Sequence, residues 1–211
     1  MEKIDLKKQL KHLYMPSAKA VELVEVPAFK FAMIDGMVHA GEVVGDSAEF
    51  GEALTALYGI SYTLKFTSKL RKENPIDYTV MALEGLWWVK NDDFDFARKE
   101  DWYFTAMMLQ PDHISEAMFQ EGLAQLAKKH PGPALEKLRF ATFEEGLSVQ
   151  VMHMGPYSEE PATIQRMKDF MQANHLERNG KHHEIYLGDP RRAKPEKLKT
   201  VLRQPVKRMA P

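Results

Sequence analysis

A glutamate stands in a segment whose other residues are typical of a β-strand, HHEIYL at residues 182–187. Glu is uncommon in strands, and a buried carboxylate costs free energy unless it is paired. Because side chains alternate along a strand, Glu184 and Tyr186 should share one face, with Ile185 and Leu187 on the other. The apolar pair is the natural partner for helices. We therefore expect Glu184 to face away from the helices, on the concave side of a curved sheet.

Aromatic residues that could surround this carboxylate are plentiful. The candidates are Trp87, Trp88, Trp102, Tyr103, Tyr157 and Tyr186. Trp and Tyr combine a large apolar area with a hydrogen-bonding group. A carboxylate among them would attract cationic or proton-donating ligands, and it could accept a proton from water. The spacing alone leaves a second interpretation open, in which Glu184 is a solvated residue on an open sheet face.

Other patterns with chemical potential are weaker. His182 and Glu184 share a strand face, but a third ligand is not placed and the adjacent His183 points away, so no metal site is predicted. The segment MHMGPYS at 152–158 turns into a helix, and its Tyr157 either packs at that turn or lies in a cleft. Nucleophile-elbow, phosphate-loop and dinucleotide motifs are absent from the sequence, so no cofactor is expected.

Composition narrows the class of protein. The 211 residues carry a net charge of −1 and no cysteine, so disulfides, thiolate nucleophiles and cysteine-based zinc sites do not arise. A chain without a global basic field is not expected to bind nucleic acid directly, and the basic C-terminal segment is interpreted as a solvated face. The sequence has no apolar run of about 18 residues. We expect a cytoplasmic protein that does not enter membranes.

The order of predicted elements indicates an internal duplication within one domain, residues 1–211. Strand, helix, strand, strand over about 18–112 is followed by a linking helix over about 113–136 and by the same order over about 137–208. The segment YTVMALEGLWWVK aligns without gaps on HHEIYLGDPRRAK, which pairs Val80 with Glu184. The predicted fold class is α+β: two strand–helix–strand–strand modules form a curved antiparallel sheet, with helices on one face and a ligand cleft on the other. Two unrelated α+β halves are the alternative.

The C-terminal segment HHEIYLGDPRRAKPEKLKTVLRQPV resembles the signature of the GyrI-like small-molecule-binding family. KFAMIDG resembles the family's opening strand, GPYSEEPATIQRMKDFMQANH its second helix, and GLWW is typical of free-standing members. The resemblance covers nearly the whole chain. It implies paired strand–helix–strand–strand modules with a ligand cleft between them and a glutamate at the position of Glu184. Some similar members hydrolyse cyclopropane-bearing DNA-alkylating compounds; others are binding modules or protect DNA gyrase.

Together these observations predict a binder of a hydrophobic aromatic or cationic small molecule, and more specifically a hydrolase of strained rings. Glu184 would act on water, and Tyr157 or Tyr103 would stabilise the developing oxyanion. Trp87 and Trp88 cannot both face the cleft in a regular strand; Gly85 permits a bulge, and the resemblance favours Trp88. Tyr186 and Met154 would complete the binding site. The alternatives are a non-catalytic drug-binding module and a partner of DNA gyrase.

Overall fold

The structure is a computed structural model that describes residues 2–90, 100–188, 190 and 192–209. Its helices are α1 (Leu6–Gln9), α2 (Lys11–Tyr14), α3 (Ala48–Leu70), α4 (Glu116–Lys129) and α5 (Glu160–Ala173). Its strands are β1 (Glu2–Ile4), β2 (Glu22–Val26), β3 (Phe29–Val38), β4 (Ile76–Tyr78), β5 (Leu83–Trp88), β6 (Trp102–Gln110), β7 (Arg139–Phe143), β8 (Gly146–Met154), β9 (Leu176–Arg178), β10 (His182–Tyr186) and β11 (Lys199–Arg208).

One large antiparallel sheet runs through the molecule in the order β2-β8-β11-β10-β5-β6-β3-β7, and β9 pairs with β11. The first module is β3-α3-β5-β6 and the second is β8-α5-β10-β11. The strand order is symmetric about the β5–β10 pair. Outward from that pair, the first module contributes β5, β6 and β3, and the second contributes β10, β11 and β8 in the equivalent positions. The predicted α+β class, with repeated modules in an antiparallel sheet, is confirmed.

The two long helices cover the same face of this sheet, which we call the helix face. Residues that are directly paired in an antiparallel sheet project to the same side. One row across the sheet is Ile34, Ala106, Gly85, Glu184, Leu202 and Val151. Ile34 and Ala106 belong to the apolar cluster of α3, whereas Leu202 and Val151 belong to that of α5. Glu184 and Gly85 therefore lie in the middle of the row, between the apolar clusters of the two helices.

The opposite face is covered by the first part of the chain, and we call it the arm face. Its central row is Met33, Met107, Glu84, Ile185, Val201 and Met152. Leu13 and Tyr14 of α2 pack on this row and are 1% and 2% exposed. The parallel pairing of β1 with β4 also holds the N-terminal arm, residues 2–15, in place.

Strong curvature follows from the connections at the sheet edges. β2 and β3 are separated only by Pro27 and Ala28, yet β2 pairs with β8 and β3 pairs with β6 and β7. Three residue steps span at most about 11 Å, so the ends of the sheet must approach each other there. Pro27 ends one strand before the next begins, as its missing N–H requires.

Two features of α3 define its start and its packing, and one expectation from the sequence needs correction. Helix α3 is capped by Ser47, whose hydroxyl accepts from the Phe50 N–H. Gly59 lies inside α3, where its lack of a side chain leaves room for Leu126 of α4, which would lie 3.1 Å from an added Cβ. Val80 lies outside β5, whereas Glu184 lies in the middle of β10, so the gapless alignment of the two modules is wrong at that point.

In the described residues, every helix is too short or too polar to cross a bilayer.

Candidate functional site

Glu184 lies on the helix face, at the junction of the two modules. The expectation that it would face away from the helices is wrong. Ile185 is needed on the arm face, where it is fully buried beside the N-terminal arm, and alternation along β10 then turns Glu184 toward α3 and α5. Glu184 is 7% exposed. It is therefore a buried carboxylate, and the interpretation as a solvated strand residue is also wrong.

Two neighbours on the same strand hold this carboxylate. The Tyr186 hydroxyl donates to Glu184 Oε2 at 2.7 Å. His182 Nε2 lies 3.2 Å from Glu184 Oε1, so the imidazole donates in the tautomer that carries its proton on Nε2. The Trp87 indole N–H donates in turn to the Tyr186 hydroxyl at 2.9 Å. Both carboxylate oxygens thus accept a hydrogen bond, and the chain from Trp87 through Tyr186 fixes the orientation of Glu184.

Gly85 makes room for this chain. It is the direct partner of Glu184 in β5, and a Cβ added there would lie 2.7 Å from Trp87 Nε1 and 3.3 Å from the Tyr186 hydroxyl. Trp87 is 2% exposed, and its ring contacts Phe50 of α3 as well as Phe104. A glycine beside the glutamate therefore lets one indole reach from the α3 cluster to the carboxylate's hydrogen-bond partner.

Tyr157 enters the site from the turn that precedes α5. Its ring meets the ring of Tyr186 edge to face, with centroids 5.9 Å apart. Burial, and then the charge of Glu184, raise the pKa of Tyr186 well above its usual value, so this phenol keeps its proton and remains a donor. Tyr157 is only half-buried, which makes it the more accessible of the two phenols. The structure thus brings together four of the predicted site residues: Glu184, Tyr157, Tyr186 and Trp87.

Sequence reasoning missed Glu160, the first residue of α5. Its carboxyl is 1% exposed, and its Oε1 has no hydrogen-bond partner in the described structure. Burial, and then repulsion by Glu184, raise the pKa of Glu160 to about 10. The available signal was the buried stripe of α5, Glu160, Thr163, Met167 and Met171. Because an acidic residue in the first turn of a helix normally faces solvent, the helix pattern alone did not single out Glu160.

Three predicted site residues lie elsewhere. Trp88 and Tyr103 pair across β5 and β6 and stack with centroids 5.9 Å apart on the arm face. β5 keeps a regular register with both neighbours and has no bulge at Gly85, so Trp88 lies on the opposite face from Glu184. The role of Trp88 in ligand binding stays a prediction. The ammonium of Lys181 lies 3.2 Å from the centre of the Trp88 ring.

Met154 also lies away from Glu184. Its side chain is 46% exposed at the end of β8, on the opposite face from His153. It borders a surface groove of about 530 Å³ beside α5, and Glu184 is not among the lining residues of that groove. Met154 therefore lies on the opposite face of the sheet from Glu184, and its role in binding stays a prediction.

A second buried polar cluster lies directly behind the site, on the arm face. His183 Nδ1 is 2.9 Å from Glu145 and its Nε2 is 3.1 Å from Glu84, which accepts from the Tyr14 hydroxyl at 2.6 Å. Arg203 pairs with Glu145 at 3.0 Å and donates to the Leu13 carbonyl at 2.7 Å. We call these residues the arm-face network. Arg203 is thus a structural partner of Glu145 and not of Glu184.

In the part of the chain that the structure describes, no three His, Asp or Glu side chains are placed to hold one metal ion. The site can therefore be described by its own groups. They are one hydrogen-bonded carboxylate, one second carboxyl, two phenols and an indole, enclosed between two helices. Such a set can accept a proton, donate a proton and contact an aromatic surface.

Comparison with known proteins agrees with this architecture. The sequence model of the GyrI-like small molecule binding domain matches residues 19–207. An uncharacterised conserved protein of Listeria innocua is 38% identical over 97% of this chain and 100% of its own, with a TM-score of 0.87. Two structures described as hydrolases from the same organism are each 37% identical. They cover 97% and 98% of this chain and 100% of theirs, with TM-scores of 0.82 and 0.85.

No relative was found among curated proteins. The family match extends over both modules and includes every residue of the candidate site. The chain belongs to the GyrI-like small molecule binding domain family.

Proposed function

We propose that this protein hydrolyses small hydrophobic molecules that carry a strained, electrophilic ring, with Glu184 as the group that activates water. The observation that carries this proposal is the state of Glu184: a buried carboxylate, held on both oxygens and placed where the two modules meet. A structural carboxylate would be expected to pair with Lys or Arg. Its partners Tyr186 and His182 instead orient the carboxylate without cancelling its charge by a permanent cation.

Opening of a strained ring by water requires only a modest rate enhancement from the protein. Water forms a C–O bond to a ring carbon, the strained C–C bond breaks, and its electron pair moves to a conjugated carbonyl oxygen. Glu184 takes the proton from the attacking water. A positioned general base contributes roughly 10²–10⁴ in rate, which is adequate for a substrate that is already activated by strain.

Tyr157 is the phenol suited to the developing oxyanion. Its neighbour Tyr186 is already engaged with Glu184, whereas Tyr103 lies on the arm face. Because Tyr157 is half-buried beside Tyr186, a ligand that entered between the helices would meet Tyr157 before it reached Glu184. Trp87 offers its ring and the apolar surroundings of the α3 cluster.

The family and its solved members support the reaction class. Family membership supports small-molecule binding, and two relatives at 37% identity are described as hydrolases. A cyclopropane-bearing alkylating compound is the substrate class that the motif resemblance implies, and conjugation of the ring to a carbonyl supplies the electron acceptor that ring opening needs. Such a ring is compact and apolar, which suits a site formed by aromatic side chains.

Mass spectrometry of a carbonyl-conjugated cyclopropane, incubated with the protein in ¹⁸O-labelled water, tests this proposal. We expect a product that has gained one water and carries the label at the new C–O bond, at a rate well above that of the compound in buffer. A compound that binds, as shown by quenching of tryptophan fluorescence, but is recovered unchanged would show a binding module instead. A compound that neither binds nor reacts would contradict the proposed substrate class.

A further inference from the structure

The second carboxyl of the site, Glu160, lies over the end of β10 next to Glu184. Tyr157, one helical turn before it, contacts Tyr186, and Thr163, three residues after it, accepts or donates a 2.9 Å hydrogen bond with His153 Nδ1. Tyr186 and His153 both pair with Thr200, from opposite sides. Glu160 lies between these two contacts of the first turn of α5, and it therefore lies above Thr200. Glu184 lies two residues before Tyr186, on the same face of β10.

The two carboxyls have different partners. Glu184 accepts from Tyr186 and from His182, which stabilises its charged form. The Glu160 Oε1 atom is buried without a hydrogen-bond partner. The Thr200 hydroxyl partly offsets the effects of burial and of Glu184 on the ionisation of Glu160, and neither a Lys nor an Arg does so. Two like charges in one buried space are strongly disfavoured, so one of the two groups keeps a proton. The partners decide that the charge stays on Glu184 and the proton on Glu160.

A protonated carboxyl that has one unpartnered oxygen and lies beside a carboxylate is a source of one proton at neutral pH. We propose that Glu160 is the proton donor of the reaction, delivering its proton to the oxygen that becomes negative when the ring opens. This assignment rests on the proposed hydrolase function and adds a second catalytic residue to it.

The proton balance closes within the pair. Water loses one proton to Glu184 as its oxygen bonds to the ring carbon, and the substrate oxygen gains one proton from Glu160. The pair then holds the same single proton as before, now on Glu184 instead of Glu160. Return of that proton from Glu184 to Glu160 restores the starting state, so each turnover consumes one water and no other reactant.

The Glu160→Gln variant tests the role directly. Gln keeps the size and the hydrogen-bonding capacity of the side chain but cannot release a proton. We expect hydrolysis of the carbonyl-conjugated cyclopropane to fall at least ~100-fold, the low end for loss of a general acid, while binding of the unreacted compound stays within a few-fold of the parent. Glu159→Gln, at the exposed neighbouring residue, is the matched control and should react like the parent.

Stability against pH shows where the proton resides without any substrate. The raised pKa of Glu160 means that the unfolded chain loses this proton at lower pH than the folded protein does, so folding becomes less favourable as pH rises above 4.5 toward about 10. Glu160→Gln removes that loss. We expect its melting temperature to exceed the parent's at pH 8, with a gain that shrinks toward pH 4. The described groups that interact electrostatically with Glu160 are Glu184, Tyr186 and the Thr200 hydroxyl, and all of them remain in the variant.

The outcomes separate the two proposals. If the parent hydrolyses the compound and Glu160→Gln does so at the same rate, the donor assignment is overturned and the hydrolase function stands. If the parent does not hydrolyse it, both are overturned. A variant that loses activity but shows no pH-dependent gain in melting temperature contradicts the assignment, because Glu160 was then ionised in the parent and had no proton to give.

Discussion

At the scale of single residues, the position of Glu184 explains why a poor strand former is present in β10. Glu184 lies between the apolar cluster of α3 and that of α5 and belongs to neither cluster. Gly85, its direct partner, contributes no side chain. The centre of the helix-face row is therefore occupied by the Glu184 carboxylate and the ring of Trp87. These two groups are the reactive and aromatic groups at the junction of the modules.

The hydroxyl of Tyr157 can be tested by its removal. Tyr157→Phe should lower hydrolysis of the carbonyl-conjugated cyclopropane by about 10²-fold, as expected for loss of one donor to an oxyanion. Tyr103→Phe is the matched control, since Tyr103 lies on the arm face, and its turnover should equal that of the parent. Initial rates of product formation measure both. An equal loss in the two variants would contradict the placement of the site on the helix face.

Fluorescence distinguishes the two adjacent tryptophans. Trp87 reaches the hydrogen-bond partner of Glu184, whereas Trp88 lies on the other face beneath Lys181. Ligand titration should therefore still quench the fluorescence of Trp88→Phe and should quench Trp87→Phe much less. Quenching that survives in Trp87→Phe and disappears in Trp88→Phe would place the ligand on the arm face.

Alternation along the strands was predictable from the sequence, but the face that carries the site was not. Glu184 does share a side with Tyr186, and Trp87 and Trp88 do point to opposite sides. Which side the helices cover depends on the partner of Ile185, and that partner is the distant N-terminal arm. Glu160 was missed for a similar reason: its burial arises from the docking of α5 on β8 and β11, which a single-helix pattern does not contain.

At the scale of elements, β10 carries functional side chains on one face and a structural network on the other. Behind Glu184, the imidazole of His183 is held between Glu84 and Glu145, and Arg203 completes the arm-face network. Breaking one member of such a buried network leaves an uncompensated charge, which typically costs ~3–5 kcal/mol. The network therefore fixes the strand from which Glu184 projects.

The stability of this network should depend on pH. Burial lowers the pKa of His183, but the carboxylates of Glu145 and Glu84 outweigh that effect and raise it to about 9. A raised folded-state pKa adds stability that is complete below pH 6.5 and is lost as pH rises through about 9. The free energy of unfolding of the parent should thus exceed that of His183→Gln most at pH 6, and the difference should shrink by pH 9.

The exposed His130 provides the control for this comparison. The stability of His130→Gln, measured by denaturant titration, should track that of the parent at every pH. At the acid end, burial raises the pKa of Glu145, but His183 and Arg203 together lower it to about 2. The stability that the Glu145 carboxylate contributes is present above pH 4.5 and is lost as pH falls toward 2. A pH-independent difference between the parent and His183→Gln would contradict a charged His183.

The strands themselves were largely predictable, but their partners were not. The segment KFAMIDG lies in β3, and HHEIYL contributes β10, as their residue patterns predict. The neighbouring strands β2 and β3, however, do not form a hairpin: β2 lies at one end of the strand order and β3 lies next to the other end. Local residue patterns specify a strand and its buried side, whereas pairing across more than 100 residues depends on the curvature of the whole sheet.

At the scale of the whole molecule, the N-terminal arm forms part of the core although it precedes the residues that match the family, 19–207. Leu13 is 1% exposed against the arm face. Leu13→Ala should lower the free energy of unfolding by about 2–5 kcal/mol, the usual cost of truncating a buried leucine. Lys8→Ala, at an exposed residue of the same arm, should have almost no effect. Denaturant titration measures both, and equal stabilities would show that the arm does not pack as described.

The duplicated architecture places a single asymmetric site at the junction of two similar halves. Each module supplies one long helix and the same strand order, but at the centre of the helix-face row the second module has Glu184 and the first has Gly85. Module repetition places this pair between the clusters of α3 and α5, and the difference between Gly85 and Glu184 makes the junction asymmetric.

The most direct test of the account is the rate at which Glu184→Gln hydrolyses the carbonyl-conjugated cyclopropane. Gln keeps an acceptor for the Tyr186 hydroxyl but cannot take a proton from water. We expect turnover to fall at least ~100-fold, with binding of the unreacted compound retained and a melting temperature equal to or above the parent's, because folding no longer buries that charge. Turnover equal to the parent's, in a variant that is as stable and binds as well, would contradict the central claim that Glu184 activates water.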